Sequence, residues 1–234
     1  MYKAILFDMD GTLLHMDQDK MLSFYTKQLM SALAPLGADP ELMMRAFYSG
    51  VKAMIINDGS RTNAEAYWDA FGRVLGEDVA PFKQAADAFY YDGYEKVRDY
   101  VWVNQFARQA IDEAKQKGIR VVLATSPVFP RVAQVKRLGW AGFSENEFEI
   151  ITDYESESFC KPNPQYFLSV CERLGVKPEE CLMVGNDSSD DMRGASAAGL
   201  DCFLVTDCLI ETDKYIWDGE RGTFEELLEK IKRL

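Results

Sequence analysis

The chain has 234 residues, 47% of them apolar, and a formal net charge of −12 from 26 Lys and Arg against 38 Asp and Glu. This length allows one large domain or a domain carrying an insertion, and the acidic excess disfavours binding to nucleic acid or anionic membranes. No run approaches the roughly 20 apolar residues of a membrane span, and no signal-peptide pattern is recognised, so we expect a cytoplasmic protein.

The first predicted element is a buried strand over residues 3–7 that leads into two carboxylates, Asp8 and Asp10. Side chains two apart in a strand point to the same face, so both acids project the same way at the strand's carboxyl end. Gly11 follows, where the chain can turn sharply and a ligand can approach the backbone. Two adjacent like charges require a cation or a shared proton. The sequence therefore predicts Mg²⁺ binding or acid–base chemistry here.

Residues 16–100 contain no convincing strand but many Met, Ala and aromatic residues at spacings of three and four, which is typical of packed helices. We therefore predict a helical cap domain over 16–100, inserted into a core domain formed by 1–15 and 101–234. The most polar loop of this insert covers 57–63. Arg61 in that loop and Lys52 upstream of it are the cationic candidates for a substrate contact.

The rest of the chain alternates between short apolar runs and helical patterns. Runs that are apolar on both faces indicate buried parallel strands, and their alternation with helices predicts crossover connections. The expected fold is α/β, a doubly wound (Rossmann-like) parallel sheet. Its further strands are predicted over 119–124, 148–152, 181–185 and 202–206, and its helices over 104–117, 130–138, 164–174, 190–199 and 223–233.

Polar residues of complementary type follow these predicted strands. Thr125 and Ser126 come after the second strand, Lys161 precedes a predicted helix start, and Asp187 and Asp191 follow the strand that ends at 185. The carboxyl ends of parallel strands meet at one edge of a sheet. Carboxylates usually occupy only one or two coordination positions of Mg²⁺, and oxygen atoms of a bound phosphate complete the shell of the ion. Lysine and hydroxyl donors then bind the remaining phosphate oxygens. The combination favours a phosphate-ester site.

These motifs, in this order, resemble those of the haloacid dehalogenase superfamily, specifically its phosphatases with a helical C1-type cap inserted after the first motif. The resemblance covers essentially the whole chain. It rests on Asp8-Met9-Asp10-Gly11-Thr12, then Thr125, then Lys161, then Gly185-Asn186-Asp187 with Asp191. It implies a phosphohydrolase that acts on a small phosphorylated metabolite, with Mg²⁺ as cofactor. A monomer is compatible with the sequence.

The resemblance also implies a role for each residue. Asp8 would be the nucleophile that forms an aspartyl-phosphate, and Asp10 the general acid and later the general base. The carboxylates of Asp8 and Asp187 and the backbone carbonyl of Asp10 would hold Mg²⁺. Thr125 would donate a hydrogen bond to the transferring phosphoryl group, and Lys161 would neutralise that group and Asp8.

Several assignments stay open at this stage. Ser126 stands where the family commonly has Asn, so its contact with the leaving group is unsettled; with Gly11 it is a candidate for phosphate binding. Asn186 replaces Asp187 as metal ligand if the register slips by one residue. Asp191 is either a second carboxylate of the metal site or a neighbour of it.

Two other functions share these residues. A phosphoglucomutase-type phosphotransferase carries the same core set and a helical cap. A non-enzymatic phospho-acceptor domain also combines Asp, Thr or Ser and Lys on such a sheet, but it would lack the insert and the acid at Asp10.

Overall fold

The computed structural model describes residues 2–213 and 215–234. Its main sheet has five parallel strands in the spatial order β4-β1-β5-β6-β7. Strand β1 lies inside the sheet, paired with β4 on one side and β5 on the other, and every residue of β1 and β5 is buried. The strands of the chain are β1 Ala4–Phe7, β2 Leu14–Met16, β3 Val101–Val103, β4 Arg120–Leu123, β5 Cys181–Gly185, β6 Asp201–Val205 and β7 Arg221–Gly222.

Helices cover the sheet and form the insert. Apolar side chains on the two sides of the sheet belong to two separate core clusters, one containing Ile5 and Phe7 and the other Ala4 and Leu6. This arrangement confirms the predicted α/β fold. The helices are α1 Gln18–Leu33, α2 Pro40–Ile55, α3 Asn63–Leu75, α4 Ala80–Ala88, α5 Ala107–Gln116, α6 Arg131–Trp140, α7 Pro164–Leu174, α8 Gly194–Ala197 and α9 Phe224–Arg233.

The segment between β2 and β3 is helical, through α1–α4 and further short helical turns that end at Tyr100. Each of the first three helices begins at a side chain that accepts a hydrogen bond from the first turn: Asp17, Asp39 and Thr62. Such caps satisfy amides that have no partner within the helix. The division into domains at residues 15 and 100 stays a prediction. Met16 belongs to β2, which pairs antiparallel with β3.

Two of the predicted elements differ in the structure. The segment predicted as a strand over 148–152 forms a single parallel bridge, Leu123 with Ile151, although backbone hydrogen bonds tie it to the free edge of β4. The helix predicted over 190–199 instead comprises a wide π-type turn at Ser188–Arg193 followed by the short α8. The structure adds β2, β3 and β7, which have only two or three residues each and therefore leave no periodic signal.

In the described residues, no helix combines the length and the apolar character required to cross a membrane.

Candidate active site

The turn after β1 places Asp8 and Asp10 at the carboxyl edge of the sheet. The Asp8 amide donates to the Val184 carbonyl at 2.8 Å, which continues the β1–β5 pairing beyond Phe7. Gly11 has φ +83°, and a Cβ there would lie 2.2 Å from Nδ2 of Asn186, so only glycine fits. The Gly11 amide already donates to the Leu14 carbonyl at 2.7 Å. Gly11 therefore shapes the turn, and its amide is engaged within the chain.

Lys161 connects two carboxylates at this edge. Its Nζ lies 2.8 Å from Asp8 Oδ1 and 2.6 Å from Asp191 Oδ1. The three side chains are 1%, 10% and 2% exposed, respectively. Burial raises the pKa of Asp191 to about 7, although Lys161 opposes this. Burial by itself would lower the pKa of Lys161, but Asp191 and Asp8 raise it overall, so the amine stays protonated.

Asp10 forms a buried ion pair that the sequence reasoning missed. Its Oδ2 accepts a hydrogen bond from Arg137 Nη1, and Arg137 Nη2 donates to Gln134 Oε1. The Arg137 guanidinium lies 4.4 Å from the centre of the Phe129 ring and is 1% exposed. Oδ1 of Asp10 is buried and has no hydrogen-bond partner within residues 2–213 and 215–234. Burial raises the pKa of Asp10 against the opposing effect of Arg137.

A sequence signal for this pair existed but was weak. Gln134 and Arg137 are three residues apart on α6, and both lie on its buried face beside Ala133 and Leu138. A basic residue inside an apolar helix face needs a partner. Nothing in the sequence identifies that partner as Asp10, which is 127 positions away.

Thr125 is buried directly after β4, and its backbone is held in place by two hydroxyl groups. The Thr125 carbonyl accepts from Thr152 Oγ1 at 2.8 Å and from the Tyr166 hydroxyl at 2.9 Å. Its own hydroxyl makes no hydrogen bond to a described residue, so it remains available to a ligand. Ser126 is half-buried, and its carbonyl accepts from the Val128 amide.

The side chains of Asn186 and Asp187, the two alternative metal ligands after β5, differ in the hydrogen bonds that they make within the chain. Both polar atoms of the Asn186 side chain are hydrogen-bonded within the protein: Oδ1 accepts from the Thr12 hydroxyl at 3.3 Å, and Nδ2 donates to the Cys208 carbonyl at 2.6 Å. Asp187 Oδ1 accepts from the amides of Ser189 and Asp190. Oδ2 of Asp187 has no hydrogen bond among the described residues, which favours Asp187 as the ligand.

The predicted metal ligands at this edge are of the donor type that magnesium binds, namely carboxylate and carbonyl oxygen atoms. Within the described residues, no three His, Cys, Asp or Glu side chains come close enough to hold a metal. The predicted ligand set has two carboxylates, Asp8 and Asp187, and one backbone carbonyl, that of Asp10, so it would not form such a cluster. Mg²⁺ is usually bound by one or two carboxylates, with waters and phosphate oxygens completing the shell.

The two cationic candidates of the insert lie outside this group. Arg61 is 42% exposed and pairs with Asp69 at 2.8 Å, and Arg73 binds the same carboxylate. Lys52 is exposed on α2 and forms no ion pair with a described residue. A substrate contact by either side chain stays a prediction.

Comparison with known proteins decides the family. The family model for haloacid dehalogenase-like hydrolases matches residues 2–199. The chain belongs to this family. The assignment from the motifs is thus confirmed.

Similar proteins extend this result. The glyceraldehyde 3-phosphate phosphatase of Methanopyrus kandleri is 28% identical, covering 100% of this chain and 99% of its own. The phosphoglycolate phosphatase of Nitrosospira multiformis is 27% identical over 87% of this chain and 82% of its own. A haloacid dehalogenase phosphatase structure from Thermococcus onnurineus shares the fold, with a TM-score of 0.60, 21% identity, and 98% and 97% coverage. The named relatives are phosphatases, which supports a hydrolase of phosphoric monoesters.

Proposed function

We propose that the chain is a Mg²⁺-dependent phosphohydrolase that cleaves a small phosphomonoester through an aspartyl-phosphate on Asp8. The observation that carries the proposal is the buried Lys161 amine shared between Asp8 and Asp191. An ammonium group in this position offsets the negative charge of Asp8, which otherwise repels an anionic ester. Asp10, the second acid at the same strand end, donates a proton to the leaving group and later accepts a proton from water.

In the first step, an oxygen of Asp8 attacks phosphorus, and the bond from phosphorus to the ester oxygen breaks. Oδ1 of Asp8 is bound to Lys161, which leaves Oδ2 for this attack. The leaving oxygen takes a proton from Asp10. Because Arg137 holds Oδ2 of Asp10 and Oδ1 has no partner, Oδ1 is the atom that carries this proton. The Thr125 hydroxyl donates to a phosphoryl oxygen.

In the second step, water attacks the phosphorus of the aspartyl-phosphate, Asp10 takes the water proton, and Asp8 is released with inorganic phosphate. Mg²⁺ would be held by Asp8, Asp187 and the Asp10 carbonyl, and when bound it supplies positive charge opposite the phosphoryl oxygens. Asp191 acts through Lys161, whose amine it fixes 2.8 Å from Asp8.

The relatives support a small phosphomonoester as substrate, since their names specify glyceraldehyde 3-phosphate and phosphoglycolate. No specific feature of the site favours the phosphotransferase alternative over hydrolysis. The two differ in product, because hydrolysis releases inorganic phosphate while a mutase returns an isomeric phosphate ester.

The test is phosphate release from a panel of phosphomonoesters with Mg²⁺, using Asp8→Asn as the blank. We expect turnover in the wild type, loss with Asp8→Asn, and loss on chelation of the metal. Asp187→Asn should raise the Mg²⁺ concentration needed for half-maximal rate. The neighbouring Asp190→Asn is the matched control and should leave this concentration near that of the wild type. Turnover that survives Asp8→Asn would disprove the proposal.

A further inference from the structure

One buried side chain of the helical insert lies against the α/β core at the start of α3. Asn63 is the first residue of that helix and is 0% exposed. Its Nδ2 lies 3.3 Å from the Pro127 carbonyl oxygen, 3.4 Å from the Phe159 carbonyl oxygen and 3.3 Å from Cys160 Sγ. These acceptors belong to two separate segments of the core, so a single amide group of the insert bridges them.

The two bridged segments carry the donors that are predicted to contact the phosphoryl group. The threonine segment, 125–129, begins with Thr125, and the lysine segment, 153–161, ends with Lys161. The hydroxyl of the first residue and the amine of the second must both reach one phosphoryl group. A donor displaced by about 1 Å can lower a rate about a hundredfold, so the separation of the two segments matters for catalysis.

A second buried asparagine fixes the orientation of the Asn63 amide. Asn57 Nδ2 donates to Asn63 Oδ1 at 2.9 Å and to the Arg61 carbonyl at 2.8 Å. Because Oδ1 of Asn63 accepts this hydrogen bond, its NH₂ group is the end that faces the core. Asn57 is also buried, and a buried amide without a partner is costly. The pair of asparagines therefore holds one defined arrangement.

Backbone amides at the start of α3 contact the lysine segment as well. The Asn63 amide donates to the Glu157 carbonyl at 2.8 Å, and the Ala64 amide donates to the Tyr154 carbonyl at 2.7 Å. The first amides of a helix have no acceptor within it, and here the lysine segment supplies two. The Tyr154 amide in turn donates to the Phe129 carbonyl of the threonine segment at 3.0 Å. The start of α3 thus belongs to one network with both segments.

The loop 57–63 of the insert also packs closely on the lysine segment. Gly59 in this loop has φ +90°, and a Cβ there would lie 2.2 Å from Cζ of Phe159. Any larger residue at this position must displace the Phe159 ring, which belongs to the residue two positions before Lys161. The contact between insert and core therefore extends from the Asn63 amide to this ring.

We propose that Asn63 is a positioning residue for phosphoryl transfer, because its amide bridges the two segments and so fixes the separation of the Thr125 hydroxyl and the Lys161 amine. This inference rests on the proposed phosphohydrolase function and gives the insert a part in building the catalytic site. Asn63 hydrogen-bonds to neither donor side chain among the described residues, so it acts through their backbones. A direct contact of Asn63 with the substrate would predict a different dependence on ester size.

Asn63→Asp tests this assignment with little change in side-chain size. At neutral pH it replaces the NH₂ group by an oxygen atom that faces two carbonyl oxygens and a sulfur. An acidic side chain in the first turn is favourable for a helix, so α3 itself should not be weakened. Thr62→Ala is the matched control. The Thr62 hydroxyl bonds only to Glu65 among the described residues, so its loss loosens the start of α3 without removing a contact with the core.

Steady-state phosphate release with Mg²⁺ measures the effect. We expect Asn63→Asp to lower kcat at least about tenfold and to change KM less than about threefold, since displaced donors lose contacts to charge that develops in the transition state. The fold loss should be similar for the best ester of the panel and for the smallest ester that is hydrolysed. Thr62→Ala should keep kcat near the wild-type value. A kcat of Asn63→Asp equal to that of Thr62→Ala, or a loss confined to the larger ester, would overturn the inference.

A pair of glycine variants perturbs the same contact from the loop. Gly59→Ala forces the Phe159 ring to move, so it should lower kcat in the same direction as Asn63→Asp. Gly76→Ala is its control, because Gly76 ends α3 with φ +74° and a Cβ there meets nothing within 4 Å. Equal kcat values for the two alanine variants would count against the bridge.

Hydrogen exchange read by mass spectrometry separates this inference from the proposed function, because it needs no turnover. Hydrogen-bonded amides in both segments, such as those of Val128 and Tyr154, report on their order. We expect peptides of the two segments to exchange at least about tenfold faster in Asn63→Asp and at the wild-type rate in Thr62→Ala. If the wild type hydrolyses no ester, the phosphohydrolase proposal fails, while faster exchange still establishes that Asn63 holds the segments together. Unchanged exchange overturns the inference even where esters are hydrolysed.

Discussion

Replacement of Arg137 by methionine perturbs the buried pair that orients Asp10. Arg137 is 1% exposed and Asp10 is 21% exposed, so the variant leaves a mostly buried carboxylate without its cation. Removal of one partner of a buried ion pair typically costs about 3–5 kcal/mol of folding free energy. Since Asp10 retains some exposure, we expect a loss at the lower end of this range, about 3 kcal/mol of folding free energy at pH 8.

The loss should depend on pH in a defined direction. Burial already raises the pKa of Asp10, and Arg137 is the strongest opposing influence, so the variant raises this pKa further. The folded state then holds a proton that the unfolded state releases near pH 4, and stability falls as the pH rises through the folded pKa. The destabilisation of Arg137→Met should therefore be smaller at pH 5 than at pH 8.

Urea unfolding at both pH values measures this effect. The double variant Arg137→Met/Asp10→Asn, which removes both charges, should recover at least half of the loss. Arg61→Met is the matched control, because its pair with Asp69 is exposed and should contribute far less. The reasoning is refuted if Arg137→Met costs no more than Arg61→Met, or if its cost is the same at pH 5 and pH 8.

Three further outcomes follow from single contacts. Lys161→Met should lower kcat for phosphate release by about 10²–10³-fold, the usual cost of losing a donor to developing charge, and near-normal turnover would contradict its role. Gly11→Ala should lower the urea midpoint, since positive φ alone costs about 1–2 kcal/mol and the Cβ meets Asn186; an unchanged midpoint would contradict the turn geometry. Burial holds the pKa of His15 below 6.5, so stability should fall below about that pH. His15 is the sole histidine, and one NMR titration tests this; a midpoint above 6.5 would refute it.

Much of the sheet could be predicted from the sequence because its strands are buried on both faces. Ala4–Phe7 and Cys181–Gly185 are continuous apolar runs that end at polar residues, and such runs are recognisable without tertiary information. The segment around Ile151 has the same texture but forms only one bridge with β4. Pairing there depends on how closely the loop approaches the sheet edge, which local composition does not encode.

The contacts of the candidate site, like the strands of the sheet, could be predicted only in part. Asp8 and Asp191 follow two neighbouring parallel strands, so the rule that such strands end at one edge predicts that they lie close together. Lys161, which contacts both, lies in a turn and not at a strand end, and its place beside Asp8 was implied only by the family resemblance. The contact of Arg137 with Asp10 follows from neither, because it depends on how α6 is rotated about its axis over the sheet. The ion pair of Arg61 with Asp69 was equally hidden, since it spans the start of α3 and joins two exposed side chains.

Trapping of the covalent intermediate tests the central claim most directly. Enzyme mixed with Mg²⁺ and a cleavable phosphomonoester is quenched with borohydride, which reduces an acyl phosphate to an alcohol, and is then digested for peptide mass spectrometry. The account predicts that residue 8, and no other aspartate, is converted to homoserine, only when substrate is present. Phosphate release without modification of Asp8, or modification at another carboxylate, would contradict the account.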